Sequence, residues 1–121
     1  MGAVMSEQPV VWNSEEPTIR RPEPTPAALR DALTRIAPSQ VPEFDRRLLE
    51  ASTRAQTSES IGPLWLFCRS WAQFIEVERH PAVARRRSEL LALVDSGSPE
   101  TKEAVSEISR IQAWADARLD E

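Results

Sequence analysis

Apolar residues between positions 25 and 119 recur at intervals of three and four, and charged residues occupy most positions between them. This period places the apolar side chains on one face of an α-helix. The chain has only three glycines and no run of alternating β-branched residues, so a β-sheet is not expected. The pattern therefore predicts an all-α fold, a single small bundle of about five helices.

Prolines and small polar residues predict where each helix begins and ends. Thr25-Pro26 and Ser98-Pro99 each combine an N-cap side chain with a proline in the first turn. Pro81 opens a helix and disfavours helical geometry in the residue before it, and Gly97 is a typical helix stop. Helices are expected to start near residues 26, 39, 63, 81 and 98, with a polar loop at 57–60.

The stretch from Ile61 to Arg79 is the most apolar part of the predicted bundle. It holds two of the four tryptophans, two of the three phenylalanines and the only cysteine, Cys68. Apolar side chains cover most of its circumference over the first two turns, which is typical of a helix buried on several sides. We therefore predict a central helix over residues 63–79, covered by its neighbours, with Trp71 and Cys68 in the core.

Residues 1–24 have a different composition, with prolines at positions 9, 17, 22 and 24 and few apolar side chains. Such a segment buries too little apolar surface to offset the entropy lost on ordering. It is predicted to be a disordered tail before a helical domain at 25–121. Within the tail, Trp12 follows two valines, and it would either pack loosely on the domain or belong to a short docking motif that orders on a partner.

The formal net charge is −4, and the last 27 residues carry seven acids against three bases. A mildly acidic chain is not a general nucleic-acid binder, although a local basic patch can still bind phosphate. The apolar stretch is interrupted by Arg69, Ser70 and Gln73, so it is not expected to span a membrane. The first residues lack the pattern of a signal peptide, and a cytoplasmic protein is predicted.

Arg85, Arg86 and Arg87 form the main basic cluster, with Arg79 and His80 shortly before them. The cluster would be a solvated helix start, a contact for an acidic protein or for the chain's own acidic end, or a phosphate-binding patch. The His80-Pro81 junction could be taken for the turn of a DNA-reading helix-turn-helix. That interpretation is disfavoured, because the helix after Pro81 lacks a run of side chains suited to base edges. Replacing the three consecutive arginines with alanine is predicted to leave the fold intact.

Candidate catalytic and metal-binding groups are few. His80 is the only histidine and Cys68 is the only cysteine, so neither has the partners that a zinc site or a thiol nucleophile needs. The chain has no Gly-rich phosphate loop, no His-Glu-x-x-His and no Gly-x-Ser-x-Gly motif. We therefore predict that the protein is not an enzyme and binds no metal or cofactor.

Two tryptophans remain as candidates for a binding surface. Trp65 is predicted to lie on a different face of its helix from Trp71, and Trp114 lies beside the apolar seam of the last helix. Each would be a typical interface anchor if exposed, and otherwise would belong to the core.

Four motifs follow one another between residues 25 and 90. They are Pro26-Ala27-Ala28-Leu29-Arg30-Asp31-Ala32-Leu33, Glu43-Phe44-Asp45, Trp71, and Pro81 followed by arginines. Together they resemble a family of small bacterial all-helical proteins. The resemblance implies a partner or antitoxin of a small toxin, and it implies no catalytic residues.

These observations predict a non-catalytic protein–protein interaction module, either an antitoxin-like neutraliser or a regulatory adaptor. The predicted partner-binding residues are Trp12, Trp65, Arg79, Arg85, Arg86, Arg87 and Trp114. A homodimer through the last helix is compatible with this function. The alternative is a nucleic-acid-binding transcriptional regulator that uses Arg79 and the three consecutive arginines.

Overall fold

The computed structural model describes residues 16–121. Five α-helices follow one another: α1 Pro26–Ile36, α2 Val41–Ser58, α3 Gly62–Glu78, α4 Pro81–Asp95 and α5 Thr101–Leu119. One turn of 3-10 helix, Pro38–Gln40, leads into α2. Because no β-strand occurs within the described residues, the prediction of an all-α fold of about five helices is confirmed.

Local hydrogen bonds explain where the helices start. The Thr25 hydroxyl accepts a hydrogen bond from the Ala28 amide at 3.3 Å, and Pro26 occupies the first turn of α1. The Ser98 hydroxyl likewise accepts a hydrogen bond from the Glu100 amide at 3.0 Å. However, α5 begins only at Thr101, three residues later than predicted, because Ser98 closes a turn before the helix rather than capping it.

Helix α2 extends further than predicted, and the polar loop expected at 57–60 is correspondingly shorter. The hydroxyls of Thr57 and Ser58 donate to the carbonyls of Thr53 and Arg54, one turn earlier, at 2.9 and 2.7 Å. These bonds satisfy the hydroxyls inside the helix, so the polar residues continue it. The helix ends at Glu59, whose backbone is left-handed with a φ of 55°.

The described chain divides into two compact units, and the division falls within α3 between Glu76 and Val77. The first unit comprises residues 19–76. The second unit comprises residues 77–121 and, among the described residues before them, residues 16–18. Each unit has buried side chains of its own. The domain boundary at residue 25 stays a prediction.

Aromatic side chains from α2 and α3 form the core of the first unit. Phe44 is fully buried, and its ring lies edge-on to the rings of Phe67 and Trp71, with centroids 4.9 and 5.3 Å away. Trp71 makes a further edge-on contact with Phe74 at 5.5 Å. This geometry is favourable because the positive edge of one ring meets the negative face of the next. Trp71 therefore lies in the core, as predicted.

Helix α4 packs against α5 in the second unit. The buried cluster comprises Val77, Val83, Leu90, Ala104, Ile111, Trp114 and Ala115. Trp114 is only 5% exposed, and its ring lies edge-on to that of His80 at 5.1 Å. Of the two alternatives for Trp114, the structure therefore supports a place in the core, because the side of α5 next to the seam is buried as well. The apolar seam of α5 is largely buried within this unit, and a homodimer through the last helix stays a prediction.

Residues 16–24 have neither helix nor strand, but hydrogen bonds anchor two of them. In the first unit, the Arg21 guanidinium donates to both carboxylate oxygens of Glu76 at 2.8 and 3.1 Å, and Glu76 is fully buried. In the second unit, the Thr18 amide donates to the Arg79 carbonyl at 2.8 Å. The described part of the predicted tail is thus anchored, because a buried carboxylate needs a paired cation.

Candidate functional site

A groove with a volume of about 510 Å³ lies between α2 and α3 in the first unit. We call it the α2/α3 groove. It is lined by Arg46, Arg47, Glu50, Ala51, Arg54, Pro63, Leu66, Phe67, Ser70 and Trp71. Phe67 and Trp71 are each 7% exposed, so the floor is apolar and belongs to the core. The three arginines all come from α2, so the groove has a cationic side and an apolar side.

The spacing of the lining residues follows from helix geometry. On α2 they fall at positions 46–47, 50–51 and 54, and on α3 at 63, 66–67 and 70–71. Residues three, four and seven apart share one face of a helix, so each helix contributes a single stripe. Two turns at about 1.5 Å per residue make each stripe roughly 10–12 Å long.

The start of α3 and the residue before it leave a group of large apolar side chains exposed. Ile61 is 78% exposed, Trp65 is 62% exposed and Leu66 is 63% exposed. The prediction that neighbours cover this part of the helix on most sides is therefore wrong. The helix buries the side that carries Phe67 and Trp71, and consecutive residues point about 100° apart, so the residues just before Phe67 face elsewhere.

Trp65 is the predicted binding residue that the structure leaves exposed on this face. Trp12 lies among residues 1–15, outside the described residues, and its docking role stays a prediction. Cys68, predicted to be in the core, is only partly buried. Burial raises the pKa of the Cys68 thiol, so less of the reactive thiolate is present at neutral pH.

Two of the three groove arginines are paired with carboxylates of the same helix. Arg46 donates to Glu43 at 2.6 Å and to Glu50 at 2.5 Å, and Arg47 donates to Glu43 at 2.6 Å. These hydrogen bonds stabilise the ionised carboxylate and lower the pKa of Glu43 to about 2. Because the pairs lie within one helix, they hold both guanidinium groups along the edge of the groove.

Arg54 differs from these two arginines. Its side chain is exposed, and it forms no ion pair with any residue of the described chain. The charges of Arg46 and Arg47 are balanced by Glu43 and Glu50, so Arg54 leaves the groove edge with a net positive charge. An incoming carboxylate would meet this charge without having to displace a carboxylate of the protein.

The arginine cluster at residues 85–87 has a different arrangement. Arg86 donates to both carboxylate oxygens of Glu107 on α5 at 2.9 Å, and to Glu89 at 3.1 Å. The Arg86 guanidinium lowers the pKa of the Glu107 carboxyl below its ordinary value. Arg87 forms an ion pair with Glu78, the last residue of α3.

The four arginines proposed as a basic surface are not exposed together. Arg79 is only 7% exposed, Arg86 and Arg87 are half-buried in ion pairs, and Arg85 is exposed. They do not share one surface, because successive helix residues point in different directions and meet different acids. Arg86 and Arg87 are used within the second unit, where they connect α4 to neighbouring segments.

The described residues contain no group of three or more His, Cys, Asp or Glu side chains placed to hold a metal ion. His80 is 6% exposed and lies against Trp114. Among residues 16–121, no helix combines the length and the apolar character that crossing a membrane requires.

The α2/α3 groove is not among the features that the sequence predicts. The interval of seven residues between Arg47 and Arg54, matched by that between Pro63 and Ser70, is the signal that could have indicated it. The same interval fits any solvated helix face, so it does not distinguish a groove from an ordinary surface. Leu66 and Arg54 therefore join Trp65 as candidate binding residues.

Comparisons with protein family models, with curated proteins and with solved structures gave no match to this chain. The resemblance to small bacterial antitoxin-like proteins therefore stays a prediction.

Proposed function

We propose that this protein is a non-catalytic interaction module that binds another protein through the α2/α3 groove and the exposed face of α3 beside it. The observation that carries the proposal is the exposure of Trp65 and Leu66, at 62% and 63%, next to a groove edged by arginine. The role we attach to this binding is that of an antitoxin-like neutraliser or a regulatory adaptor in the bacterial cytoplasm.

The residue types of this surface support binding of a protein rather than of a small molecule. Tryptophan and arginine are enriched among the residues that contribute most to protein interfaces, since tryptophan buries a large rigid ring and arginine donates several hydrogen bonds from one planar group. A water-exposed tryptophan and a neighbouring leucine gain free energy when a partner covers them, by roughly 25 cal/mol per Å² of apolar area. The open shape of the groove admits a protein segment.

Nucleic-acid binding through Arg79 and Arg85–Arg87 is the less favoured proposal. Phosphate groups would have to compete with Glu107 for Arg86 and with Glu78 for Arg87. Arg79 is buried. The carboxylates of Glu78 and Glu107 would also repel phosphate, and they neutralise much of the positive charge of the cluster.

The test is capture of a partner from native cell extract by the wild-type chain and by two matched variants. Leu66→Asp places a charge in the groove, and Leu49→Asp places the same charge at a residue of α2 that is 70% exposed and does not line the groove. We expect Leu66→Asp to abolish capture and Leu49→Asp to retain it. Equal capture by both variants would contradict the proposal, and a steep loss of capture with rising salt would favour a nucleic-acid ligand.

A further inference from the structure

Resting on the proposed function, we infer that the segment received by the α2/α3 groove is an amphipathic α-helix of a partner protein that carries a carboxylate opposite Arg54. The groove is bounded by two helical stripes, each about two turns long. Grooves of this kind accept a third helix through side chains at positions i, i+3 or i+4, and i+7.

A helix fits this site better than an extended strand does. A bound strand gains most of its affinity from main-chain hydrogen bonds to the edge of a sheet. The described residues contain no strand, and the groove is walled by helices whose backbone groups are already paired within each helix. A helical ligand satisfies its own backbone groups, so it can dock through side chains alone.

The apolar contacts set the side of the partner helix that faces inward. Phe67 and Trp71 form a fixed floor because both are held in the aromatic core by Phe44. Leu66 rises beside them, 63% exposed. Apolar side chains of the partner would lie over this floor, and the covered leucine would supply much of the binding free energy.

The cationic edge sets the charge of the partner. Arg54 has no carboxylate of its own among the described residues, whereas Arg46 and Arg47 are already balanced by Glu43 and Glu50. One acidic side chain of the partner, at the end of the groove near Arg54, completes the pairing. A basic side chain at that position would face the unbalanced charge of Arg54, so it is disfavoured.

A phage-displayed library of helical peptides tests this inference, with peptides of about 18 residues, long enough to form a helix in water. We expect selection on the wild-type chain to enrich peptides with apolar residues at helical spacing and an acid beside them. Their binding should be lost on Leu66→Asp and retained on Leu49→Asp. A proline placed at the centre of a selected peptide should abolish binding, since it breaks the helix.

A charge exchange tests the pairing with Arg54. Arg54→Glu should weaken an acidic peptide about tenfold and should strengthen the counterpart in which lysine replaces the acid by about the same factor. The matched control is Arg35→Glu, because Arg35 is an exposed arginine of α1 that does not line the groove.

Three outcomes would overturn the inference. They are selected peptides without an acidic preference, peptides that tolerate the central proline, and acidic peptides that bind Arg54→Glu as well as the wild type. Any of these could occur while Leu66→Asp still abolishes partner capture, in which case the groove keeps its binding function with a different ligand. Retained capture by Leu66→Asp would instead overturn the proposed function itself.

Discussion

Two groups of arginines, one at residues 85–87 in the second unit and one beside the α2/α3 groove in the first, pair in different ways. In the second unit, Arg86 on α4 binds Glu107 on α5, a residue 21 positions later in the chain, and so connects two helices. In the first unit, Arg46 and Arg47 pair only within α2, and Arg54 has no ion pair among the described residues. Arg86 and Arg87 therefore connect segments of the second unit, while Arg46, Arg47 and Arg54 border the groove that we propose as a binding site. Charge density along the sequence does not reveal which guanidinium groups are available to a partner.

The largest difference is expected between one tryptophan of each unit. Trp114 is 5% exposed and Trp65 is 62% exposed. Trp114→Ala should lower the free energy of unfolding by about 3–5 kcal/mol, because it leaves a cavity in the core, whereas Trp65→Ala should lower it by less than about 1 kcal/mol. Urea denaturation followed by far-ultraviolet circular dichroism measures both. If Trp114→Ala does not fold, Trp114→Phe removes less volume and can be compared with Trp65→Ala instead.

A smaller difference is expected between the arginines of the two units. Arg86→Ala should lower the free energy of unfolding by about 1–2 kcal/mol, because it removes a bidentate, partly buried ion pair. Arg54→Ala should change it by no more than about 0.5 kcal/mol, since the side chain is exposed and has no ion pair among the described residues. Equal denaturation midpoints for the two variants would contradict this expected difference in stability.

The triple replacement of Arg85, Arg86 and Arg87 with alanine follows the same reasoning. The fold should form, but its melting temperature should fall by several degrees, since about 1 kcal/mol corresponds to roughly 4–8 °C in a domain of this size. The sequence alone predicts no such cost, because it does not show the carboxylates of Glu78 and Glu107 beside the cluster. Differential scanning calorimetry provides the measurement.

A weaker effect is expected from pH. Because Arg86 lowers the pKa of Glu107 in the folded chain, the pair contributes stability above the ordinary glutamate pKa of about 4.3, and this contribution is lost as the pH falls through the folded value. Stability measured between about pH 6 and pH 3 should therefore fall less steeply in Arg86→Ala than in the wild type. Equal slopes for the two proteins would show that the pair contributes little.

The smallest expected effect concerns the first unit and involves titration rather than stability. The pKa of Glu43 should be about 2, held there by Arg46 and Arg47. Replacing both arginines with alanine should return the pKa of Glu43 toward its ordinary range, as followed by nuclear magnetic resonance of the side-chain carboxyl carbon. An ordinary pKa of Glu43 in the wild type would mean that these arginines are not fixed along the groove.

Capping residues, prolines and apolar spacing predict most of the helices. The Thr25-Pro26 start of α1 and the Pro81 start of α4 lie at the predicted positions, because capping and proline geometry depend only on near neighbours. The faces of α3 are predicted less well. Apolar residues surround its first two turns, so periodicity does not distinguish Phe67, which is buried, from Leu66, which is exposed.

The candidate site was harder to predict because it depends on contacts between distant residues. Trp65 could be identified as a candidate from its position relative to Trp71, and it is exposed. Trp114 could not be distinguished from it, because its burial depends on contacts with His80 and the rest of the second unit. The availability of Arg54 likewise depends on which acids lie nearby, and sequence spacing gives only those on the same helix.

The bond between Arg21 and the buried Glu76 determines how far the chain can be shortened. A truncation at residue 25, where the first helix is about to start, would remove the guanidinium that binds both oxygens of that carboxylate. Removing one member of a buried ion pair typically costs more free energy than the pair contributes, so the shortened chain should be less stable than a chain that keeps Arg21. A fragment that begins at residue 16 retains this anchor, and it is the better starting point for crystallisation or binding studies.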